Sequence, residues 1–332
     1  DLLTTGTANV AIGSGALDNE QAGRQNVAVG YNALGVQRED SDNRNTAVGY
    51  QAGSALSTAV QTTLLGHSAG GTGTITGDNN VALGFAAGNN LSSGSENVFI
   101  GVQAGDATTS GHSNVGIGHS ALGLAVDGDG QVAVGFEALA NSEPANGQTY
   151  NVAIGAQAGK GVTTGTGNVM IGGLTCQAAL TGVSNVIIGT EAGNDLTIGE
   201  NNIAIGVQAL DLEDVGSRNI AIGTNALGVS NQSGTTVNNC ANVAMGFAAG
   251  NQISTGFHNT LIGTECGQTI QNGGRNTLIG KSVNVTASNV SDAIGLGNSI
   301  AVAANDFTFG KNGATATCDF DADAVFTHSS DL

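Results

Sequence analysis

The chain is 332 residues long, with 54 glycines, one proline and no tryptophan. Abundant glycine without proline or a strict three-residue period excludes collagen, and 40% hydrophobic residues argue against a disordered polar chain. A formal net charge of −18 argues against binding nucleic acid through its phosphates and fits a solubilising acidic surface.

Taken from the start, the first recognisable element is the pentapeptide Asn9-Val10-Ala11-Ile12-Gly13, which returns at 26–30, 45–49, 80–84, 97–101 and onward to 276–280. Numbering each repeat by its closing glycine gives seventeen copies, from Gly13 to Gly295, and eleven of the sixteen spacings are 17 residues. The last spacing reads as 15, and the longer ones arise in connecting stretches such as 37–44, 142–150 and 230–241. Insertions confined to one part of a repeat mark that part as a loop. A single 17-residue coil cannot repay its own ordering entropy, so coils must stack to be stable. The pattern therefore predicts an all-β, parallel β-solenoid of about 17 coils over residues 1–305, followed by a capping or transition segment over 306–332.

Within each pentapeptide the residue before the glycine is always Ile, Val, Leu or Met, and the residue two before that is mostly Val or Ile. Period-two alternation places both on one face of a short strand. They are read as the solenoid core, represented by Ile12, Val29, Val48, Ile100, Ile154, Ile205, Ile222 and Ile262. The residue between them is apolar too, usually Ala, and a strand apolar on both faces is buried on both. Ala11, Ala28, Ala47, Phe99, Ala153, Met170 and Ile187 are accordingly expected at a subunit interface, around a threefold axis where small side chains allow close approach. The alternative is a broad single-chain solenoid with a covering segment, for which the sequence offers no candidate.

After the glycine a second short strand is expected, with Ala at its third position in thirteen repeats and a polar residue before it. A second glycine stands three residues before the Asn position in twelve repeats, where a turn with positive φ is expected. The Asn itself occurs in fourteen repeats, replaced by Thr62, Gln131 and Ser291. Stacked copies, including Asn9, Asn26, Asn97, Asn151, Asn202 and Asn259, can form an amide ladder.

These units resemble the β-solenoid shafts of bacteriophage tail fibres, and also the heads of trimeric autotransporter adhesins, which form left-handed parallel β-rolls. The "NVAIG…AL" and "NTAVGYQAG" wording carries the resemblance over about residues 5–300. It implies a homotrimeric fibre that attaches to a host cell. The segment Phe307-Thr308-Phe309-Gly310, followed by Phe326 to Leu332, resembles the lead-in to the intramolecular chaperone of phage fibres. Through that resemblance Ser330 is the nucleophile and Asp331 the first residue released in a one-time autocleavage; a chance Ser-Asp pair in a tail is the alternative. The partners implied are two further copies, other tail or fibre proteins and a host cell-surface receptor such as a glycan, in a virion tail. The other reading is a bacterial surface adhesin binding cells or matrix.

Enzyme and cofactor chemistry is not expected. Acidic residues such as Glu20, Asp40, Glu143 and Asp214 are scattered into loops rather than paired at one coil position. The five histidines form no HxH or HExxH, and His67 and His119 occupy a station held elsewhere by Tyr31, Tyr50, Phe85 or Phe136, which suggests stacked flat side chains. Asp127-Gly128-Asp129-Gly130 is turn-like and short of the ligands a calcium loop needs. Cys176, Cys240, Cys266 and Cys318 lie far apart and read as small apolar side chains. No apolar stretch is long enough for a membrane helix. The chain begins on Asp1 without a signal-peptide pattern and is expected to be a segment of a longer protein. Surface recognition, if it lies in this chain, is expected on the long loops at 36–44, 140–150 and 228–241.

Overall fold

A computed structural model describes residues 5–37, 42–143, 147–213, 215–229, 238–320 and 326–330. The described residues contain no helix and form a parallel β-solenoid of about 17 turns at 17-residue spacing. Contacts divide the chain into two compact units, Asp1–Gly167 and Asn168–Leu332. The first holds nine three-residue rungs, from Val10–Ile12 to Val152–Ile154. They pair in parallel and in register, Val10 with Val27, Ala28 with Ala47 and Phe99 with Gly116. The second unit repeats the arrangement from Val169–Ile171 to Thr277–Ile279.

The end of the second unit differs from the sequence-based expectation. Thr277 pairs with Ile294 and Ile279 with Leu296, so the seventeenth closing glycine is Gly297 rather than Gly295 and the 17-residue spacing is kept. The strand Asp306–Lys311 then pairs in parallel with Ile294–Asn298 and contributes one more rung, with Thr308 buried in the middle position. Only beyond it do the strands turn antiparallel, at Ala314–Asp319 and Phe326–Ser330. The expected boundary at 305/306 falls just before a strand that still belongs to the parallel stack.

Side-chain direction is the main correction. Ala28, Ala47, Phe99, Ala153, Met170 and Ile187, expected at a subunit contact, are wholly buried inside their own coils; Ala11, in the outermost rung, is exposed. The residues expected in the core point outward. Ile12 is 59% exposed, Ile154 40%, and Ile100, Ile205 and Ile262 37% each, while Val29, Val48 and Ile222 are half-buried. The reason is volume. A 17-residue coil encloses a narrow interior, and a second wall of alanines (Ala33, Ala52, Ala104, Ala192) faces the first across it. A β-branched side chain at every rung would overfill that space.

Three stations share the filling of the interior. In four coils a large middle residue is matched by Gly four residues after the closing glycine, Leu64 with Gly70, Phe99 with Gly105, Ile187 with Gly193 and Leu261 with Gly267, while Met170 goes with Cys176 and Leu278 with Asn284. A methyl group on Gly193 would come 3.0 Å from Ile187 Cδ1, and one on Gly267 2.7 Å from Leu261 Cδ1. Where the middle residue is Ala or Gly, Leu takes that station, as in Ala28 with Leu34, Gly116 with Leu122 and Ala204 with Leu210. Where both are small, the seventh residue after the glycine supplies the bulk: Leu56, Leu91, Val162 or Ile253. The fourth station is left-handed whether Leu or Gly fills it, with φ of 50° at Leu34 and 60° at Gly53. A leucine is held there against an intrinsic cost of about 1–2 kcal/mol by the burial of its side chain.

Two further expectations are revised. The stretch after the closing glycine is a run of turns rather than a second strand, although its Ala does face inward. The second recurrent glycine does not have positive φ; the residue before the Asn does, as at Gln25 (60°), Glu96 (62°) and Ser113 (57°). That glycine is required by close stacking instead, since a Cβ on Gly256 would lie 2.6 Å from the carbonyl oxygen of Gly273 in the next coil. The closing glycines meet both demands: Gly206 has φ of 140° and its Cβ would lie 2.6 Å from the Gly223 oxygen.

Candidate interaction face

The outward side of each rung presents two columns, one at the position of Val27 that is Val or Ile except for Thr46, Thr63, Thr260 and Thr277, and an apolar one at the position of Val29, with a third column of mixed character one residue past the glycine. In the first unit Val10, Ile12, Leu65, Ile100 and Ile154 are 37–59% exposed, and in the second Ile205, Met245, Ile262, Ile279 and Leu296 are 37–49% exposed. No charged residue occupies either rung column from Val10 to Ile279, in a chain carrying −18. Exposed apolar surface of this extent and regularity is characteristic of an association surface.

The third column carries rings. Tyr31, Tyr50, His67 and Phe85 stack at successive centroid separations of 5.2, 4.9 and 5.3 Å, and His119 lies 5.6 Å from Phe136 at a tilt. Parallel in-register coils force this spacing, since rungs repeat at about 4.8 Å. The stacked-ring expectation for His67 and His119 thus has a direct geometric counterpart.

The asparagine column is buried, and its hydrogen bonds are mostly to main chain. Oδ1 of each Asn accepts from the backbone N–H of the residue one rung on: Asn9 from Asn26 (2.9 Å), Asn97 from Asn114 (3.0 Å), Asn202 from Asn219 (2.9 Å), Asn259 from Asn276 (3.0 Å). Nδ2 donates to the turn carbonyl fourteen residues on, as Asn97 to Gly111 and Asn151 to Gly165. Amide-to-amide bonds appear in places, such as Asn202 Nδ2 to Asn185 Oδ1 at 3.1 Å. Asn26 is buried in the column, with its own Nδ2 unpartnered. The column ends on Ala293, whose N–H is the last taken, rather than on Ser291.

Charged groups cluster weakly. Lys160 Nζ lies 2.6 Å from Glu137 Oε2, and this hydrogen bond holds the Glu137 carboxyl below its usual range. Arg275 and Asp292 pair at 2.6 Å, with the guanidinium 5.8 Å from the Phe257 ring. Burial, then the neighbouring Asp195 and Glu191, pushes Asp211 up to about 6. Asp127 is tied to Thr109 and Ser110, and Asp129 accepts from the His112 N–H at 2.7 Å, so that loop's carboxylates are engaged locally. Among the described residues no three or more His, Cys, Asp or Glu side chains gather where they could hold a metal. All four cysteines are buried thiols, and burial pushes Cys176 and Cys266 up to about 12.

Ser330 ends the antiparallel strand Phe326–Ser330, its backbone paired with Ala314, while Asp331 lies outside the described residues. Residues 38–41, 144–146 and 230–237 of the long loops, and Asp214, also lie outside them. Among the described residues no helix is long and apolar enough to cross a membrane.

No protein-family model fits the chain, and no curated protein matches it. The face is therefore argued from its own chemistry. What reading the sequence missed was its direction. The signal was present in the inverse sizes of the middle and fourth stations, which only residues sharing one cavity need to balance.

Proposed function

We propose that this chain is a shaft segment of a phage tail fibre, three copies packed along their outward valine and isoleucine columns to form a stiff spacer for host attachment. The observation that carries the reading is the charge-free, half-exposed apolar face repeated on every rung. The face recurs on all nine rungs of the first unit, and a standard stable interface buries about 800 Å² per partner. A second copy offers the same flat, in-register columns, so the face is self-complementary in chemistry. The number three, the virion tail and the choice of a fibre over a bacterial surface adhesin rest on the resemblance of the repeat.

Sedimentation equilibrium of the purified chain tests the assembly: a trimer is expected. The double substitution Ile100→Asp and Ile154→Asp is expected to give monomers that keep the β circular-dichroism signal. A wild-type chain that is monomeric at every concentration refutes the reading. For attachment, the assembled chain is expected either to adsorb to bacteria itself or to act only as a spacer, whereas adhesion to animal cells or matrix would favour the adhesin.

A further inference from the structure

Asparagine is a thermolabile residue, and most so before glycine, whose missing side chain leaves its nitrogen open to the asparagine carboxamide. The pair occurs three times in this chain, at 146–147, 272–273 and 312–313, and residue 146 lies outside the described residues. The structure holds the other two pairs in opposite ways.

Asn272 is exposed yet pinned to its neighbours in the stack. Its Oδ1 accepts from Thr255 Oγ1 at 2.9 Å, and its N–H donates to the Ser288 carbonyl at 3.0 Å. The Gly273 N–H donates to the same carbonyl at 3.2 Å. Gly273 is also buried, and a methyl group on it would collide with the Val290 carbonyl oxygen.

Asn312 and Gly313 form the whole connection between the strand Asp306–Lys311 and the antiparallel strand Ala314–Asp319, with Lys311 paired to Ala314 across it. Both turn residues are exposed, and a methyl group on Gly313 would meet nothing within 4 Å. The Asn312 N–H donates to the Asn298 carbonyl at 3.0 Å, but among the described residues neither its side chain nor the Gly313 N–H has a hydrogen-bond partner. Gly313 has φ of 78°, while Asn312 is not left-handed, so this is not the type I′ turn in which both central residues are. Closing a ring requires the glycine nitrogen to lose its proton and turn toward the carboxamide. A nitrogen already donating can do neither until its hydrogen bond opens.

We propose that Asn312 is a site of spontaneous self-modification that loosens the end of the stack as the protein ages. The Gly313 nitrogen loses its proton to solvent base and bonds to Asn312 Cγ, the Cγ–Nδ2 bond breaks, and the nitrogen leaves as ammonia. Water then opens the five-membered imide at either carbonyl, giving aspartate or isoaspartate. One water is consumed and one ammonia released, with no change of oxidation state. Isoaspartate carries the main chain through the side-chain carbon, which adds a methylene to a two-residue connection whose length sets the register of its strands. Rungs far from the turn are held by their own neighbours and keep their pairing.

The test ages the folded full chain in mildly alkaline buffer made with heavy-oxygen water, followed by peptide mapping. Asn312 is expected to convert from amide to acid, with heavy oxygen incorporated and isoaspartate the main product. Its rate is expected to exceed that of Asn272 by about tenfold or more, because the bonds at Asn272 must open first. The two rates should converge when the chain is aged in urea. Asn312→Gln, whose longer side chain closes a larger ring far more slowly, is expected to stop the conversion in a folded chain. Hydrogen exchange of the aged, unaltered chain gives a second readout: the Ala314–Asp319 amides should lose about tenfold in protection, with the rungs from Val169 to Thr277 unchanged. Equal rates at Asn312 and Asn272 in the folded chain overturn the proposal, as does an isoaspartate-containing chain whose hairpin exchanges like the fresh one.

Discussion

Phe99→Ala separates the interior of a coil from its outward face. The Phe99 ring is wholly buried and its walls are glycines: methyl groups on Gly88 and Gly116 would come 3.3 and 3.1 Å from it, and one on Gly105 would collide with it. The glycines have no side chain to swing into the space left by a deleted ring, so only neighbours such as Leu91 and Leu122 can relax into it and much of the cavity persists. The cost should sit toward the upper end of the range for Phe→Ala, about 4–5 kcal/mol. Stability in a stacked repeat is local, so the suitable assay is native-state hydrogen exchange over residues 82–118. Protection of the Val98, Gly101 and Val115 amides is expected to fall by about a thousandfold, with distant rungs unchanged. The second substitution Gly105→Leu should restore most of it by recreating the Ala28 with Leu34 pairing. Phe99→Ala that leaves exchange untouched while dissociating an oligomer would refute this account and put the ring at a subunit contact.

Four further outcomes follow from the same geometry. Gly206→Ala combines a φ of 140° with a methyl group 2.6 Å from the Gly223 oxygen, so it should cost at least about 2 kcal/mol in a urea titration. Asn97→Ala strands the Asn114 N–H and the Gly111 carbonyl, for a loss of about 2–4 kcal/mol read as faster exchange of the Asn114 amide. Asp211 has a folded pKa raised to about 6 from 3.8, so ionising it opposes folding. The penalty is absent below the unfolded value and complete above the folded one; the wild type should therefore gain stability as pH falls from 7 toward 4.5, and Asp211→Asn should flatten that slope. Cys176 and Cys266 should resist a thiol reagent at pH 8 and react fully once the chain is denatured; rapid labelling of the native protein would contradict their burial.

Much of the architecture was legible because repetition multiplies weak signals. One Val-Ala-Ile-Gly is unremarkable, whereas seventeen in step require stacking. The asparagine column could be anticipated for the same reason, though its main-chain partners could not, because they depend on where each turn carbonyl falls. The direction of the strand was not legible from hydrophobicity, since Ala28 and Val29 are both apolar. Only size distinguishes them, and in a narrow coil the smaller residue goes inside. Glycine was misjudged in a related way. Gly94 looked like a left-handed turn residue, but that conformation belongs to Glu96, and Gly94 is glycine because Gly111 passes so close above it. Gly295 reads as a closing glycine because Ile294 precedes it, whereas the pairing sets the phase by Gly297. The buried Glu20 was unreadable, since a loop carboxylate and an interior one look alike until the neighbouring station is known to hold Leu17.

The joints between successive rungs are made largely of main chain and asparagine amide, and these are nearly the same at every level. Side chains distinguish the coils without distinguishing the seams. Duplicating or excising one whole coil would leave an equivalent seam behind, wherever neighbouring interiors still match in volume. A gene for such a chain could lengthen or shorten its product in increments of about 4.8 Å without redesigning anything, so reach becomes a trait that recombination can tune.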